Sequence, residues 1–267
     1  MELVDTHCHI HFADYELDPE SVIRDAIESG VTRMVCVGCT LADSKLGVDL
    51  AKRHSSLWAS IGVHPHEAKY YVDNHKALQE LRQLASESKV VAIGEIGLDY
   101  FYNHSDKQSQ LELFRFQLTL ATEHDLPVIF HVRDPKTHSS SEIGEAFSDF
   151  FAVLSDFKGI RGVVHSFTAG SRTLDKCINK GLYIGLNGIM TFTKDQKQLK
   201  MAKKVPLDRL VLETDAPFLT PVPYRGKICQ PKHVASTAEF LASLRGETLE
   251  YMATASTANA LKLFNLK

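Results

Sequence analysis

Apolar residues in this chain arrive in eight short bursts: LVDTH near 3, MVCVG near 34, WASIGV near 58, VVAIGEIG near 90, PVIFHV near 127, GVVHSF near 162, LYIGLNG near 182 and RLVLETD near 209. Each is rich in β-branched side chains and short, the mark of a strand buried on both faces in a parallel sheet covered by helices. The stretches between them read mainly as amphipathic helices. Residues 19–29 place Pro19 just inside a start after Asp18, with Gly30 as the stop. Residues 43–54 and 75–88 have helical spacing, with Leu78, Leu81 and Leu84 on one face of the second. KQSQLELFRFQLTLATEHD is the clearest helix, with Leu111, Phe114, Leu118 and Ala121 recurring at three or four residues. EIGEAFSDFFAVLSDF and SRTLDKCINKG supply the next two, and KDQKQLKMAKKV a short connection before the last strand. A Pro- and Gly-containing loop, APFLTPVPYRGKICQP, follows, and then two closing helices in HVASTAEFLASLRG and ETLEYMATASTANALKLF. Eight strands alternating with helices predict an α/β fold, a TIM-type (β/α)8 barrel with C-terminal closing helices.

Length alone does not choose between one large core and two smaller ones in 267 residues. With no obvious linker, low-complexity tract or short-period repeat, one domain spanning 1–267 is expected. A 44% apolar and 24% charged composition is ordinary for a soluble protein. Charges interrupt the apolar stretches before membrane-spanning length, and the start MELVDTHCH has neither a basic leader nor a long apolar segment. The expectation is a soluble, cytoplasmic protein. Five cysteines include a CxxC at Cys36 and Cys39, but no second CxxC completes a metal site, so buried thiols are expected.

The polar residues inside the apolar runs carry the chemistry. His7 and His9 are two apart, so an extended backbone points both imidazoles to one side and Cys8 to the other. Glu95 sits inside an apolar strand, where an ionised carboxylate needs a metal or hydrogen-bond partner. His131 and His165 occupy comparable ends of the fifth and sixth runs, and Asp215 closes the eighth. A barrel would gather all six at one mouth, where four imidazoles and two carboxylates can hold one or two divalent ions. One division of them would put His7, His9 and Asp215 around one ion, His131 and His165 around the other, and Glu95 bridging. Such ions lower the pKa of water, orient phosphate oxygen and neutralise developing charge. Asp215 is placed to hydrogen-bond the attacking water and take its proton. The mixed nitrogen and oxygen donors admit Mg, Mn or Zn.

Net charge of −3 argues against wholesale electrostatic capture of nucleic acid, although divalent cations supply positive potential where phosphate must bind. Local cations would then position a strand, with Arg133, Arg172, Arg225, Lys227 and Lys232 as candidates.

Taken together, VDTHCH, IGVHPH, AIGEIGLDY, PVIFHVR, VVHSFTA, LETDAPFLTPVPYRGK and TANALKLF resemble the TatD family of metal-dependent deoxyribonucleases, within the amidohydrolase-like metallo-barrels. The resemblance covers essentially the whole chain. It implies a barrel, monomeric or weakly oligomeric, that hydrolyses DNA phosphodiesters with two divalent ions, Mg foremost and Mn or Zn admissible. It assigns the metal residues to His7, His9, Glu95, His131, His165 and Asp215, and the catalytic residues to Glu95, Asp215 and His64, the last contacting phosphate or the leaving group. His66 in the same GVHPH motif is a further candidate. It implies 3′ to 5′ trimming of single-stranded or damaged DNA, and a place in DNA repair or fragmentation. Arg133 and Arg225 would hold neighbouring phosphates; Phe167, Tyr100, Phe101 and Phe218 would stack on bases. One departure is visible: the family commonly continues RGK with Asn-Glu-Pro, whereas Ile228-Cys229-Gln230-Pro231 stand here, which would alter the loop over the cleft.

Two other readings use the same residues. A metallohydrolase of a small amide, ester or lactone needs the same ligands but gives no reason for the extended resemblance. A non-catalytic nucleic-acid-binding or scaffold protein would be expected to lack one or more ligands, and all six are present.

Overall fold

The structure, a computed structural model, describes residues 1–136 and 142–266. Its strands are β1 (Leu3–Cys8), β2 (Val31–Val37), β3 (Leu57–Ile61), β4 (Val90–Asp99), β5 (Val128–Arg133), β6 (Gly162–Val164), β7 (Tyr183–Leu186) and β8 (Leu210–Leu212). All eight expected runs contribute one strand each. They pair in sequence order, each parallel to the next. Past the end of β8 the two edges meet: the Asp215 amide donates to His7 O at 2.8 Å and the His9 amide to Ala216 O at 2.6 Å. The result is the expected (β/α)8 barrel.

The helices are α1 (Pro19–Glu28), α2 (Leu41–Arg53), α3 (Ala68–Tyr71), α4 (His75–Leu84), α5 (Lys107–Glu123), α6 (Glu145–Ser155), α7 (Ser171–Asn179), α8 (Ile189–Phe192), α9 (Gln196–Lys204), α10 (Val234–Arg245) and α11 (Leu249–Phe264). Local chemistry explains their limits. The Asp18 side chain accepts from the Ser21 amide ahead of Pro19, and Gly30 adopts φ 87°, a left-handed stop open to glycine without strain. Three single-turn elements escape the sequence pattern. The segment after β3 folds into a 3-10 turn (Pro65–Glu67) and α3, and α8 precedes α9, each too short to show periodicity.

Two apolar layers hold the barrel. Outside it, Phe114 of α5, Phe130 of β5 and Phe150 of α6 meet with ring centroids 5.0 to 6.2 Å apart. Each fully buried phenyl ring contributes roughly 1.5–3 kcal/mol over its exposed state. A second cluster joins Val4, Val35, Val91, Ile129, Val163, Tyr183 and Val211 from seven strands to Ala260, Leu263 and Phe264. The end of α11 therefore plugs the N-terminal mouth of the barrel. Asn259 fixes it there, donating to Leu207 O at 2.8 Å and Leu210 O at 2.7 Å. The opposite mouth is left to polar side chains. Among the described residues no helix is long and apolar enough to cross a membrane.

Candidate metal centre

Strand ends deliver the six expected ligands to the C-terminal mouth. His7 lies in β1 and His9 just beyond it, and their Nε2 atoms are 3.1 Å apart. Cys8 between them is fully buried on the opposite side, as period-two alternation requires. Glu95 in β4 reaches between the groups: its Oε2 is 3.5 Å from His7 Nε2, and its Oε1 is 2.6 Å from His131 Nδ1 and 3.0 Å from His165 Nε2. Asp215 Oδ1 completes the first group, 3.5 Å from His7 Nε2 and 3.3 Å from His9 Nε2. Glu95 thus turns Oε2 toward His7 and Oε1 toward His131 and His165, and the donor atoms near enough to share an ion group as His7 with His9 and Glu95, His64 with Glu95 and His131, and His7 with His165 and Glu213.

The donor set suits cations. Burial, the neighbouring His165 and His9 hold the His7 imidazole below its ordinary value, so it offers a lone pair. Burial opposes ionisation of Glu95, yet His165, His64 and His131 outweigh it and hold the carboxyl well below the usual range. Asp215 is likewise lowered, burial being overcome by its hydrogen bond with His9 and the surrounding imidazoles. Two carboxylates kept ionised in a buried place, facing imidazole nitrogens, fit a pair of divalent ions.

Supporting groups orient the ligands, and the sequence reading passed over most of them. Asp99 Oδ2 lies 2.9 Å from His131 Nε2 and 3.1 Å from His66 Nε2, while its Oδ1 accepts from the amides of Phe101 and Tyr102. Glu213 Oε1 is 3.3 Å from His165 Nδ1 and accepts from the Ser166 amide at 2.6 Å. His9 Nδ1 is fixed on Val37 O at 2.7 Å. Asp5, fully buried, accepts from the Thr214 amide at 2.8 Å and hydroxyl at 2.6 Å, and burial pushes its carboxyl up to about 8. Ligands with such partners keep one tautomer and one orientation. The signal was available for Asp99 and Glu213, each an acid at the end of an apolar run.

His64 stands beside the second group, its Nε2 3.7 Å from Glu95 Oε1. Its Nδ1 accepts from the His66 amide at 3.2 Å, which puts the imidazole proton on Nε2 and makes that atom a donor toward the cavity. Cys39, from the CxxC, is unpaired and has its Sγ 3.9 Å from Glu95 Oε2; burial and that carboxylate raise its thiol well above the ordinary value.

His9, Glu95, His131, His165 and Asp215 open into a cavity of about 640 Å³ whose wall includes Arg133 and Phe218. Arg133 lies over the Phe101 ring at 3.9 Å, and Phe218 is 53% exposed. The structure corrects two expected base-stacking residues. Phe167 is 2% exposed and packs on Phe147, and Tyr100 is 7% exposed with its hydroxyl donating to Asp149 at 2.9 Å. Both face the helix layer. Ser166 takes φ 48° and breaks the alternation that would have pointed Phe167 to the mouth. Arg225 donates to Thr220 O at 2.7 Å and lies on Phe192, away from the cavity wall, and Lys232 is paired with Asp25 of α1 at 2.8 Å. Cys229 of the departing loop is fully buried behind the site, its amide donating to Pro217 O.

An eight-stranded parallel barrel with paired imidazole and carboxylate groups at its C-terminal mouth defines a metal-assisted hydrolase. Comparison with known proteins narrows the class. The family described as TatD related DNase matches residues 4–265, and the chain belongs to it. It is 37% identical over 271 residues, covering 100% of this chain and 97% of the other, to an "Uncharacterized metal-dependent hydrolase YcfH" of Escherichia coli. It is 34% identical over 272 residues, covering 99% and 100%, to a "3'-5' ssDNA/RNA exonuclease TatD" of Erwinia tasmaniensis. The crystal structure of YJJV, a TatD homologue from Escherichia coli, superimposes with a TM-score of 0.86 at 29% identity, covering 99% and 98% of the two chains.

Proposed function

We propose that this protein hydrolyses the phosphodiester bonds of DNA, removing nucleotides from the 3′ end of single-stranded or damaged strands. The observation that carries the reading is Glu95, whose Oε2 faces the His7 imidazole and whose Oε1 faces those of His131 and His165. His7, His9, Asp215 and Glu95 would hold one divalent ion, and His131, His165 and Glu95 the other, Mg foremost. Bound there, such ions supply Lewis acidity that makes water nucleophilic at neutral pH and offsets charge on phosphate.

The remaining steps fall to this chain's own side chains. Asp215 Oδ1, beside His7 and His9, accepts the proton of the attacking water. His64 donates from Nε2 to a phosphate oxygen or the departing ribose oxygen. Arg133, braced against Phe101, pairs with the adjacent phosphate, and exposed Phe218 stacks on a base. The named activity of the Erwinia relative supports the polarity and the preference for single strands. We further infer that the chain acts as one monomeric catalytic domain in the cytoplasm.

End-labelled single-stranded and duplex DNA, given to protein reconstituted with Mg, Mn or Zn, tests the reading, with Glu95→Ala as control. A ladder shortening from the 3′ end and lost in the variant is expected. Hydrolysis of small amides, esters or lactones with DNA left intact would overturn it.

A further inference from the structure

A chain of cavities leads away from the metal centre along one side of the mouth. The cavity at His131, His165 and Asp215 shares Arg133, Thr168 and Gln198 with a second, which in turn shares Thr168, Gly170 and Gln198 with a third of about 380 Å³. The third lies between the start of α7 and one face of α9. Lys197, Lys200 and Lys204 line it, spaced three and four residues apart so that one helix face presents all of them. Ala202, on the opposite side of α9, is buried and its carbonyl accepts from Arg245 of α10 at 2.9 Å, which leaves the lysine face outward. Arg172 stands opposite, on a helix whose first amides have no side-chain cap.

These four cations make no ion pair within 4 Å among the described residues. Asp195 supplies the wall's one carboxylate, and it caps α9 by accepting from the Lys197 amide at 2.8 Å. In a chain whose net charge is −3, unneutralised cations gathered in one groove make a local field opposite to the whole. We propose that this groove is an extended binding site for the phosphates of a DNA strand several nucleotides away from the bond being cut. The proposal rests on the nucleic-acid reading above. It adds that affinity for long strands comes from the α7–α9 groove, separately from the catalytic mouth.

Lys197→Ala/Lys200→Ala/Lys204→Ala tests it, with the triple Lys→Arg replacement as the charge-conserving control. For a single strand of about 20 nucleotides, KM is expected to rise about tenfold with kcat unchanged. The slope of log(kcat/KM) against log salt should become shallower by about 2, since each phosphate contact contributes about 0.7 on single strands. A dinucleotide, too short to reach the groove, should be cut equally by variant and wild type, and the arginine control should behave as wild type. Equal KM for the long strand, or equal losses on both substrates, overturns the groove. If wild-type protein cuts no DNA, the functional reading fails by itself. Fluorescence anisotropy of a labelled strand in chelator then decides the groove: weaker binding by the alanine variant supports it, and unchanged binding overturns it.

Discussion

Replacing Asp99 by Asn tests whether the partners of the ligands matter as much as the ligands. The Asp99 carboxylate receives three donors, two backbone amides on Oδ1 and His131 Nε2 on Oδ2 at 2.9 Å, with His66 Nε2 3.1 Å from the same Oδ2. An Asn side chain can keep the amides on its oxygen, but its NH2 then faces His131 Nε2, which must accept. His131 answers by moving its proton to Nδ1, the atom 2.6 Å from Glu95 Oε1 that would otherwise offer its lone pair to a cation. Loss of such a partner costs about 10–100-fold in metal affinity, or about 1.4–2.7 kcal/mol. The loss should fall on the ion held by His131 and His165 and spare the one held by His7, His9 and Asp215. Calorimetric titration with Mn in the wild type and Asp99→Asn would resolve two binding events in each, one of them weakened. Unchanged affinity at both, or equal weakening of both, would refute the reasoning.

At the far end of the barrel, Asn259→Ala removes both donors to Leu207 O and Leu210 O, leaving two poorly satisfied carbonyls at a cost of about 2–4 kcal/mol. At about 2–4 °C per kcal/mol, melting should fall by about 5–15 °C by calorimetry, while activity per folded molecule stays unchanged; a reduced kcat at low temperature would contradict a purely structural role. Phe218→Ala should raise KM for single-stranded DNA several-fold, while Tyr100→Phe should leave it unaltered because that ring faces the helix layer; the opposite ranking would return Tyr100 to the cleft. Asp5, raised to about 8 by burial, holds a proton when folded that the unfolded chain releases near pH 4. Stability should therefore fall as pH rises from about 4 to about 8. Denaturant titrations in chelator should show Asp5→Asn flattening that slope, and parallel profiles would disprove the assignment.

The barrel was legible because its strands are buried on both faces, which leaves a nearly continuous apolar run where each one lies. The ligands were legible for the same reason, since a histidine or acid inside such a run needs a partner there. What sequence could not supply was direction at the turns. His165 and Phe167 share a parity that alternation would send to one side, but Ser166 at φ 48° separates them, one toward the cations and one into the helix layer. Asp99 and Glu213 end their runs much as Asp215 does, and only the folded chain distinguishes an acid facing the cavity from one facing the back of an imidazole. The groove along α9 was hidden differently. Its lysines look like an ordinary solvated helix face until the neighbouring cavity joins them to the mouth.

Closure of the barrel and assembly of the first ion site are one event. The bonds that join the two sheet edges, from the Asp215 amide to His7 O and from the His9 amide to Ala216 O, use the backbone of His7, His9 and Asp215, whose side chains would hold the cation. Asp5 adds to the same seam, tying β1 to Thr214 next to Asp215. Any opening between β1 and the chain after β8 therefore separates His7 and His9 from Asp215, so a cation bound by all of them must oppose that opening. Free energy of binding there becomes free energy of closure, because the open state lacks the full ligand set. The second group lacks this link: His131 and His165 come from adjacent strands in the middle of the sheet, and Glu95 from the strand before them. The seam should thus be steadied chiefly by the ion shared with Asp215, while the other can exchange without loosening the barrel.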